Sequence, residues 1–328
     1  MTIYDVFNGD ADGICALLQL RLATPSQSEL ITGIKRDIKL LEKVQAVQGD
    51  IINVLDISLD KNRADLLRNL ENGADIFYVD HHFCGDIPNH AKLTALIDTQ
   101  PDICTSLLMN QHLRAKNKEQ FPLWAITGAF GDNLNASAQT LASKHQLKQK
   151  DMEQLKSLGI YINYNGYGAS VNELHFAPDE LYKKFLPYKN PLVAIEDSSS
   201  AFQELKSGYE EDNAHAAKLK PEYETGKVAL FILPDKTWAR RISGVYSNEL
   251  VNQFPDRAHA VLTENDNNGY LVSVRAPLNN KTGADELCRQ FESGGGRKAA
   301  AGINHLPQSE LSNFIHKLNQ QFNLNNAV

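Results

Sequence analysis

Acidic and imidazole side chains stand directly behind apolar runs at four places in the first half of this 328-residue chain. Asp10 and Asp12 lie in Asn8-Gly9-Asp10-Ala11-Asp12-Gly13, after the run Thr2–Phe7. Asp56 follows Asp50–Leu55, and Asp80-His81-His82 follows Ala74–Val79. Asp132 lies in Gly131-Asp132-Asn133, after an apolar run ending at Phe130. Carboxylates gathered in one place repel, and some take up protons unless a cation removes that cost. Five carboxylates with one or two imidazoles are more than one ion needs. They suit two divalent ions about 3.5–4 Å apart, as in phosphatases and nucleases. Mixed oxygen and imidazole ligation fits Mn²⁺ or Mg²⁺, and the histidine favours Mn²⁺. Taken singly, Asp12-Gly13 reads as a turn and Asp56 as a helix cap. Together, acidic residues at successive strand ends point to one site.

The elements around them say how they would meet. Thr2–Phe7, Asp50–Leu55, Ala74–Val79 and Leu93–Ile97 have the Ile, Val, Phe and Tyr content of strands, and Glu29–Ile34 is a weaker one. Ile14–Leu22, Ile38–Val47 and Asp60–Asn69 carry apolar residues at helical spacing. Alternation of this kind predicts an α/β fold, a doubly wound, mostly parallel sheet with helices on both faces. In such a sheet the carboxyl ends of the strands share one edge, where ligands bind. Phe121–Phe130, Ala136–His145 and Asp151–Leu158 read as helices, and Pro187–Pro221 as a partly helical connection. A new pattern starts at Lys227, with strands at Val228–Leu233, Ala258–Thr263 and Gly269–Arg275 and helices at Ile242–Gln253, Ala284–Phe291 and Ser309–Phe322. The expected organisation is a domain over 1–190, a linker over 191–225 and a smaller α/β domain over 226–328.

Composition narrows the classes. A chain 42% hydrophobic and 22% charged is neither disordered nor collagen-like. Cys15, Cys84, Cys104 and Cys288 form no C-x-x-C pair, which fits reduced thiols and a cytoplasmic location. The longest apolar runs fall far short of the roughly 20 residues of a membrane span. A net charge of −7 argues against tracking long nucleic acids, where Lys and Arg dominate affinity. A small anionic ligand in a locally positive pocket remains compatible with it.

The acidic motifs, taken in order, resemble the DHH phosphoesterases. Asp80-His81-His82 matches the name motif. Asn8-Gly9-Asp10-Ala11-Asp12-Gly13 is similar to the first motif in its RecJ-like form. Asp56 in Leu55-Asp56-Ile57-Ser58 matches the second motif, and Asp132 the fourth. Gly294-Gly295-Gly296-Arg297-Lys298-Ala299-Ala300-Ala301-Gly302 resembles the glycine-rich signature of the DHHA1 substrate domain, and Ser273-Val274-Arg275 the strand before it. The resemblance implies that Asp10, Asp12, Asp56, His81 and Asp132 ligate two ions. It implies that His82 contacts the phosphoryl oxygen, with Asp80 orienting a histidine and Asn8 and Asn133 supporting the ligands. It assigns Arg275, Gly294, Gly295, Gly296 and Arg297 to the substrate, with the active site in the cleft between the domains. Two positions depart from the pattern. Val6 stands where many members carry a histidine, and Arg297 stands where the DHHA1 signature usually has one.

The resemblance leads to a phosphodiesterase that cuts short 5′-phosphorylated oligonucleotides, dinucleotides such as pGpG above all, to mononucleotides. The alternatives are a pAp phosphatase or a cyclic-dinucleotide phosphodiesterase, and further off a single-strand exonuclease or a non-catalytic nucleotide-binding protein. The expected partners are a short nucleotide, no long nucleic acid and no membrane, with homodimer formation left open. Tyr161, Tyr164 and Tyr167 either stack on a base or pack around a loop. Trp238, Arg240 and Arg241 either meet a nucleotide or begin a helix. His175, His215, His259 and His305 fit no metal spacing and read as structural.

Overall fold

In a computed structural model of the protein, which describes residues 1–323, the chain divides into two compact units with the boundary after Gly208. The first unit is built on β1 (Ile3–Phe7), α1 (Ala11–Ala23), β2 (Glu29–Ile31), β3 (Ile51–Leu55), α2 (Leu59–Glu71), β4 (Asp75–Asp80) and β5 (Leu93–Ile97). The five strands form one parallel sheet in the order β2-β1-β3-β4-β5. The order turns back between β1 and β3, which is the switch point of a doubly wound sheet. Phe7 lies beside Leu55, and Leu55 beside Val79. Asn8, Asp56 and Asp80 therefore leave the sheet at one level, on its carboxyl edge.

Alternation along the strands divides the core. Phe7, Leu55 and Val79 pack with α1 and the later helices on one face. Val6, Val54, Ile52 and Tyr78 pack with α2 and the segment before β3 on the other. Helix α1 is buried nearly all round, as a helix apolar on every side must be. Five further helices complete this side: α3 (Thr105–Ala115), α4 (Pro122–Gly131), α5 (Asn135–Lys144), α6 (Gln149–Asn165) and α7 (Pro178–Phe185). Glycines let two of them touch: a Cβ on Gly159 of α6 would stand 2.3 Å from the Thr127 carbonyl oxygen and 2.9 Å from the Gly131 nitrogen of α4. The connection 187–221 holds α8 (Pro191–Glu196) and α9 (Ala201–Ala216), and the unit boundary falls within α9.

The segment Ile38–Val47 is not the helix its spacing predicts. It holds one short 3₁₀ turn, Leu40–Lys43, in otherwise irregular chain. Its apolar residues Leu40, Leu41, Val44 and Ala46 are buried as predicted, but α2 supplies the backbone partners a helix would have supplied internally. Asn62 accepts from the Leu41 amide and donates to the Ile38 carbonyl, at 3.2 and 2.6 Å. Asn69 accepts from the Ala46 amide at 3.0 Å, and Arg68 donates to the Val44 carbonyl at 2.8 Å. Satisfied in this way, the buried backbone needs no regular structure.

The second unit holds a six-stranded mixed sheet in the order β10-β11-β9-β8-β7-β6. Its elements are β6 (Tyr223–Glu224), β7 (Val228–Leu233), α10 (Thr237–Gln253), β8 (Ala258–Asn265), β9 (Gly269–Arg275), α11 (Ala284–Cys288), β10 (Gly294–Gly296), β11 (Ala300–Pro307) and α12 (Leu311–Asn323). Only β7 and β8 pair in parallel. Helices α11 and α12 share a core with Val228, Leu230, Ala260, Leu262, Val272, Val274 and Ile303. Strand β11, next to the edge strand β10, escapes sequence reasoning, because Ala300-Ala301-Gly302 are poor strand formers and pairing with β9 overrides that preference. Among the described residues, no helix is long and apolar enough to cross a membrane.

Candidate metal centre

Asp10 is the N-cap of α1. Its Oδ1 accepts from the amides of Asp12 and Gly13, at 3.0 and 3.1 Å. Two residues on, Asp12 receives the first amides of α3: Thr105 N donates to Oδ2 at 2.7 Å and Ser106 N to Oδ1 at 2.8 Å. A carboxylate against a helix N-terminus is stabilised by the amides and the helix dipole. Asp56 leaves β3 in a left-handed conformation, with φ at 62°, while its amide bonds the Val79 carbonyl at 3.0 Å. The Thr105 hydroxyl donates to Asp56 Oδ1 at 3.0 Å. A non-glycine residue held at positive φ costs about 1 kcal/mol or more, and such strain gathers at functional sites.

The two histidines have different surroundings. His81 Nδ1 lies 3.0 Å from the Ile103 carbonyl oxygen. A carbonyl can only accept, so Nδ1 carries the proton and Nε2 presents its lone pair. That Nε2 faces Asp56 at 3.4 Å, Asp12 at 3.8 Å and Asp132 at 3.9 Å. An imidazole fixed from behind by a carbonyl and aimed at carboxylates is the arrangement of a metal ligand. His82 Nδ1 lies 2.7 Å from Asp80 Oδ1, and its side chain is 33% exposed. Asp80 is fully buried, and its second oxygen has no partner among the described residues.

A divalent cation fits these residues. Asp56, His81 and His82 each offer a donor atom, all within 4.8 Å of one another. Burial, with Asp10 and Asp12 beside it, pushes the Asp56 carboxyl well above the usual carboxylate range. The buried Asp80 Oδ2 has no hydrogen-bond partner among the described residues, which is a second cost. A cation removes both costs, and the mixed oxygen and imidazole donors suit Mn²⁺.

Lys35 is a member of this site that sequence reasoning missed. Its Nζ lies 2.5 Å from Asp10 Oδ2 and 2.9 Å from Asn163 Oδ1. Burial would drive the proton off this amine. The negative charges of Asp10 and Asp132 reverse that and hold the ammonium above its ordinary range. The same pair holds the Asp10 carboxyl below its ordinary value, although burial pulls it the other way. The Asn8 side chain accepts from the Asp10 amide at 3.2 Å and donates to the Lys35 carbonyl at 3.2 Å. Asn133 sits at φ 61° after α4, and its side chain accepts from Asn135 at 3.0 Å.

The aromatic clusters are used for packing. Tyr161 packs against Phe202 with the rings tilted, and Tyr164 is fully buried with its hydroxyl 2.8 Å from His175 Nε2. Tyr167 lies under Lys35, whose Nζ is 5.4 Å from the ring centre. Trp238 stacks on His215 inside α10, which starts five residues earlier than the pattern suggests. Arg241 pairs with Asp212 at 2.7 Å, and Arg240 with Asp235.

In the second unit, Arg275 ends β9 and donates to Asn248 at 2.7 Å. Gly294, Gly295 and Gly296 form the edge strand β10, and the exposed Arg297 turns it into β11. Their glycine content has a packing reason. A Cβ on Gly294 would meet the Cys288 carbonyl oxygen at 1.8 Å, and Gly296 has φ 141°.

Residues 225–324 match the DHHA1 domain family. No curated protein matches the chain. Several solved structures share its fold. An exonuclease RecJ bound to manganese has a TM-score of 0.60 and 16% identity, over 97% of this chain and 89% of that one. RecJ from Thermus thermophilus in complex with Mn²⁺ has a TM-score of 0.60 and 17% identity, over 97% of this chain and 51% of that one. The pGpG-specific phosphodiesterase PggH from Vibrio cholerae has a TM-score of 0.57 and 14% identity, over 99% of both chains. Residues 225–324 thus carry a DHHA1 domain, and the chain shares the fold of the RecJ structures.

Proposed function

We propose that the protein is a divalent-metal-dependent phosphodiesterase that hydrolyses short 5′-phosphorylated oligonucleotides, dinucleotides such as pGpG foremost, to mononucleotides. The observation that carries this is His81, locked by the Ile103 carbonyl with Nε2 aimed at Asp12, Asp56 and Asp132 on the carboxyl edge of the sheet. Asp12, Asp56, His81 and Asp132 would hold the metal beside the Asp10–Lys35 pair, with Mn²⁺ favoured over Mg²⁺. The ion supplies Lewis-acid polarisation of the phosphoryl group and neutralises developing charge. The chain's own residues bind, orient and move protons. Asp80 fixes His82 with Nδ1 turned inward, so that Nε2 is the nitrogen left to meet a phosphoryl oxygen. Arg275 and Arg297 would offset substrate charge, Arg297 bidentately.

Two features favour a dinucleotide over a long strand. The phosphodiesterase PggH, named for pGpG, matches this fold over 99% of both chains. The net charge of −7 opposes the phosphate neutralisation a long strand requires. A pAp phosphatase or a cyclic-dinucleotide phosphodiesterase would use the same metal edge.

The test is product analysis by ion-exchange chromatography after incubation with Mn²⁺ and, separately, pGpG, a cyclic dinucleotide, pAp and a single-stranded 20-mer. Conversion of pGpG to GMP is the expected outcome. Digestion of the 20-mer would move the activity to an exonuclease, and inertness on all four would remove the phosphodiesterase reading. Arg275→Ala and Arg297→Ala should raise KM while leaving Mn²⁺ affinity unchanged. Unaltered KM in both would take these arginines out of substrate binding.

A further inference from the structure

We propose that Lys35 takes the place of a metal ion: the site binds one divalent cation, and the Lys35 ammonium is its fixed second positive charge. The inference rests on reading the site as a metal centre. It departs from the two ions that a count of carboxylates suggests.

The geometry is specific. Asp10 Oδ1 already accepts two amide hydrogens at the start of α1. Its Oδ2 is the oxygen left to reach a metal, and Lys35 Nζ lies 2.5 Å from it. A cation centred there would collide with the ammonium. Lys35 is also not a side chain that swings aside. Nζ has a second acceptor in Asn163 Oδ1 at 2.9 Å, and its backbone amide donates to the Gly166 carbonyl at 2.8 Å. The Asn8 side chain holds its carbonyl, and the Tyr167 ring lies beneath it. The lysine is thus anchored at its backbone and at its tip.

On β1, Val6 adds no donor on this side. Val6 is fully buried among Leu40, Leu41 and Val54. The other half of the site is different in kind. There His81 Nε2 faces Asp56, Asp12 and Asp132 within 3.4 to 3.9 Å. These donors suffice for one ion with mixed oxygen and imidazole ligation. An ammonium beside it is a compact point charge with three donors, and two of those are engaged by Asp10 and Asn163. The third is available to a phosphoryl oxygen of the substrate. Lys35 then holds substrate charge where a second ion would otherwise do so.

The experiment reads stoichiometry. The full-length protein is loaded with Mn²⁺, freed of excess by gel filtration and assayed for manganese per chain, with an electron paramagnetic resonance spectrum of the bound ion. One ion per chain with the hyperfine pattern of an isolated Mn²⁺ is expected. Two ions per chain with a spin-coupled spectrum would overturn the role of Lys35 and leave the metal centre standing. No bound ion would overturn both. In Lys35→Met the ammonium is gone at nearly equal volume, and the stoichiometry should rise to two with a coupled spectrum. Lys35→Arg should stay at one. A Lys35→Met protein that folds, as its melting curve shows, and still holds one ion would overturn the claim that the ammonium excludes the second.

Discussion

His82 Nδ1 lies 2.7 Å from Asp80 Oδ1, and that pair decides which face of the imidazole the solvent sees. Asp80 is buried and His82 is one-third exposed, so the carboxylate works from inside on a ring that looks outward. In Asp80→Asn the amide would no longer hold a charged partner behind the ring. Activity should fall by about 10²- to 10⁴-fold, the usual value of a positioned proton-transfer group. His82→Ala should lose a similar amount while keeping its manganese, whereas His81→Ala should lose the metal as well. Steady-state kinetics alongside manganese titration separates the two histidines. Equal metal loss in both variants would count against this division of labour.

Metal should stabilise the fold. At a hundredfold excess over its Kd, Mn²⁺ adds about 2.7 kcal/mol. For a unit of this size each kcal/mol moves Tm by roughly 2–4 °C, so chelation by EDTA should lower the first melting transition by on the order of 5–10 °C. Asp56→Asn should melt at the same temperature with or without Mn²⁺. A wild-type Tm indifferent to both metal and chelator would contradict this.

The contact between α4 and α6 sets the place of Asp132, which follows the last residue of α4. In Gly159→Ala the new methyl would lie 2.3 Å from the Thr127 carbonyl oxygen and push the helices apart. Overpacking of this kind costs about 1–3 kcal/mol. Urea denaturation should show that loss, and Mn²⁺ titration should show weaker binding in the same variant. A stability loss without any change in metal affinity would mean that the end of α4 is positioned from elsewhere.

A pH effect is expected in the second unit. Burial, helped by the nearby Arg257 cation, lowers the His259 pKa from 6.5 to about 4. Arg257 Nε donates to His259 Nε2 at 3.1 Å, so the folded state holds the neutral ring. The unfolded chain binds this proton at higher pH than the folded one does. The contribution is therefore complete above pH 6.5 and is lost as pH falls towards 4, amounting to at most about 3 kcal/mol. His259→Gln keeps an acceptor for Arg257 and removes the titration. Urea midpoints measured from about pH 7.5 down to about 4.5 should fall less steeply in the variant, and parallel curves would refute the assignment.

The acidic residues at the strand ends could be read in the sequence because each is local: an apolar run stops and a carboxylate follows. The parallel register then carries Asp56 and Asp80 to the same edge without further information. What completes the site is not local. Thr105 and Ser106 reach Asp12 across separations of 93 and 94 residues, and the carbonyl that fixes His81 belongs to Ile103. Lys35 was hidden for a related reason. The residues after it have helical spacing, yet α2 side chains satisfy their backbone, and the resulting irregular path brings the ammonium to Asp10. The glycines of β10 show the converse. Their run draws the eye as a phosphate loop, while the near contact of Gly294 with Cys288 explains one of them by packing alone.

The backbone of Asp56 limits what evolution can put there. At φ 62° glycine relaxes and asparagine is tolerated, while most other side chains meet a steric penalty. Glycine and asparagine carry no charge, and glutamate carries the charge on a chain that fits this conformation less well. Aspartate alone satisfies both demands. Neutral drift at this site should therefore be nearly closed, and a descendant that has abandoned the chemistry should betray it first by a glycine or an asparagine here.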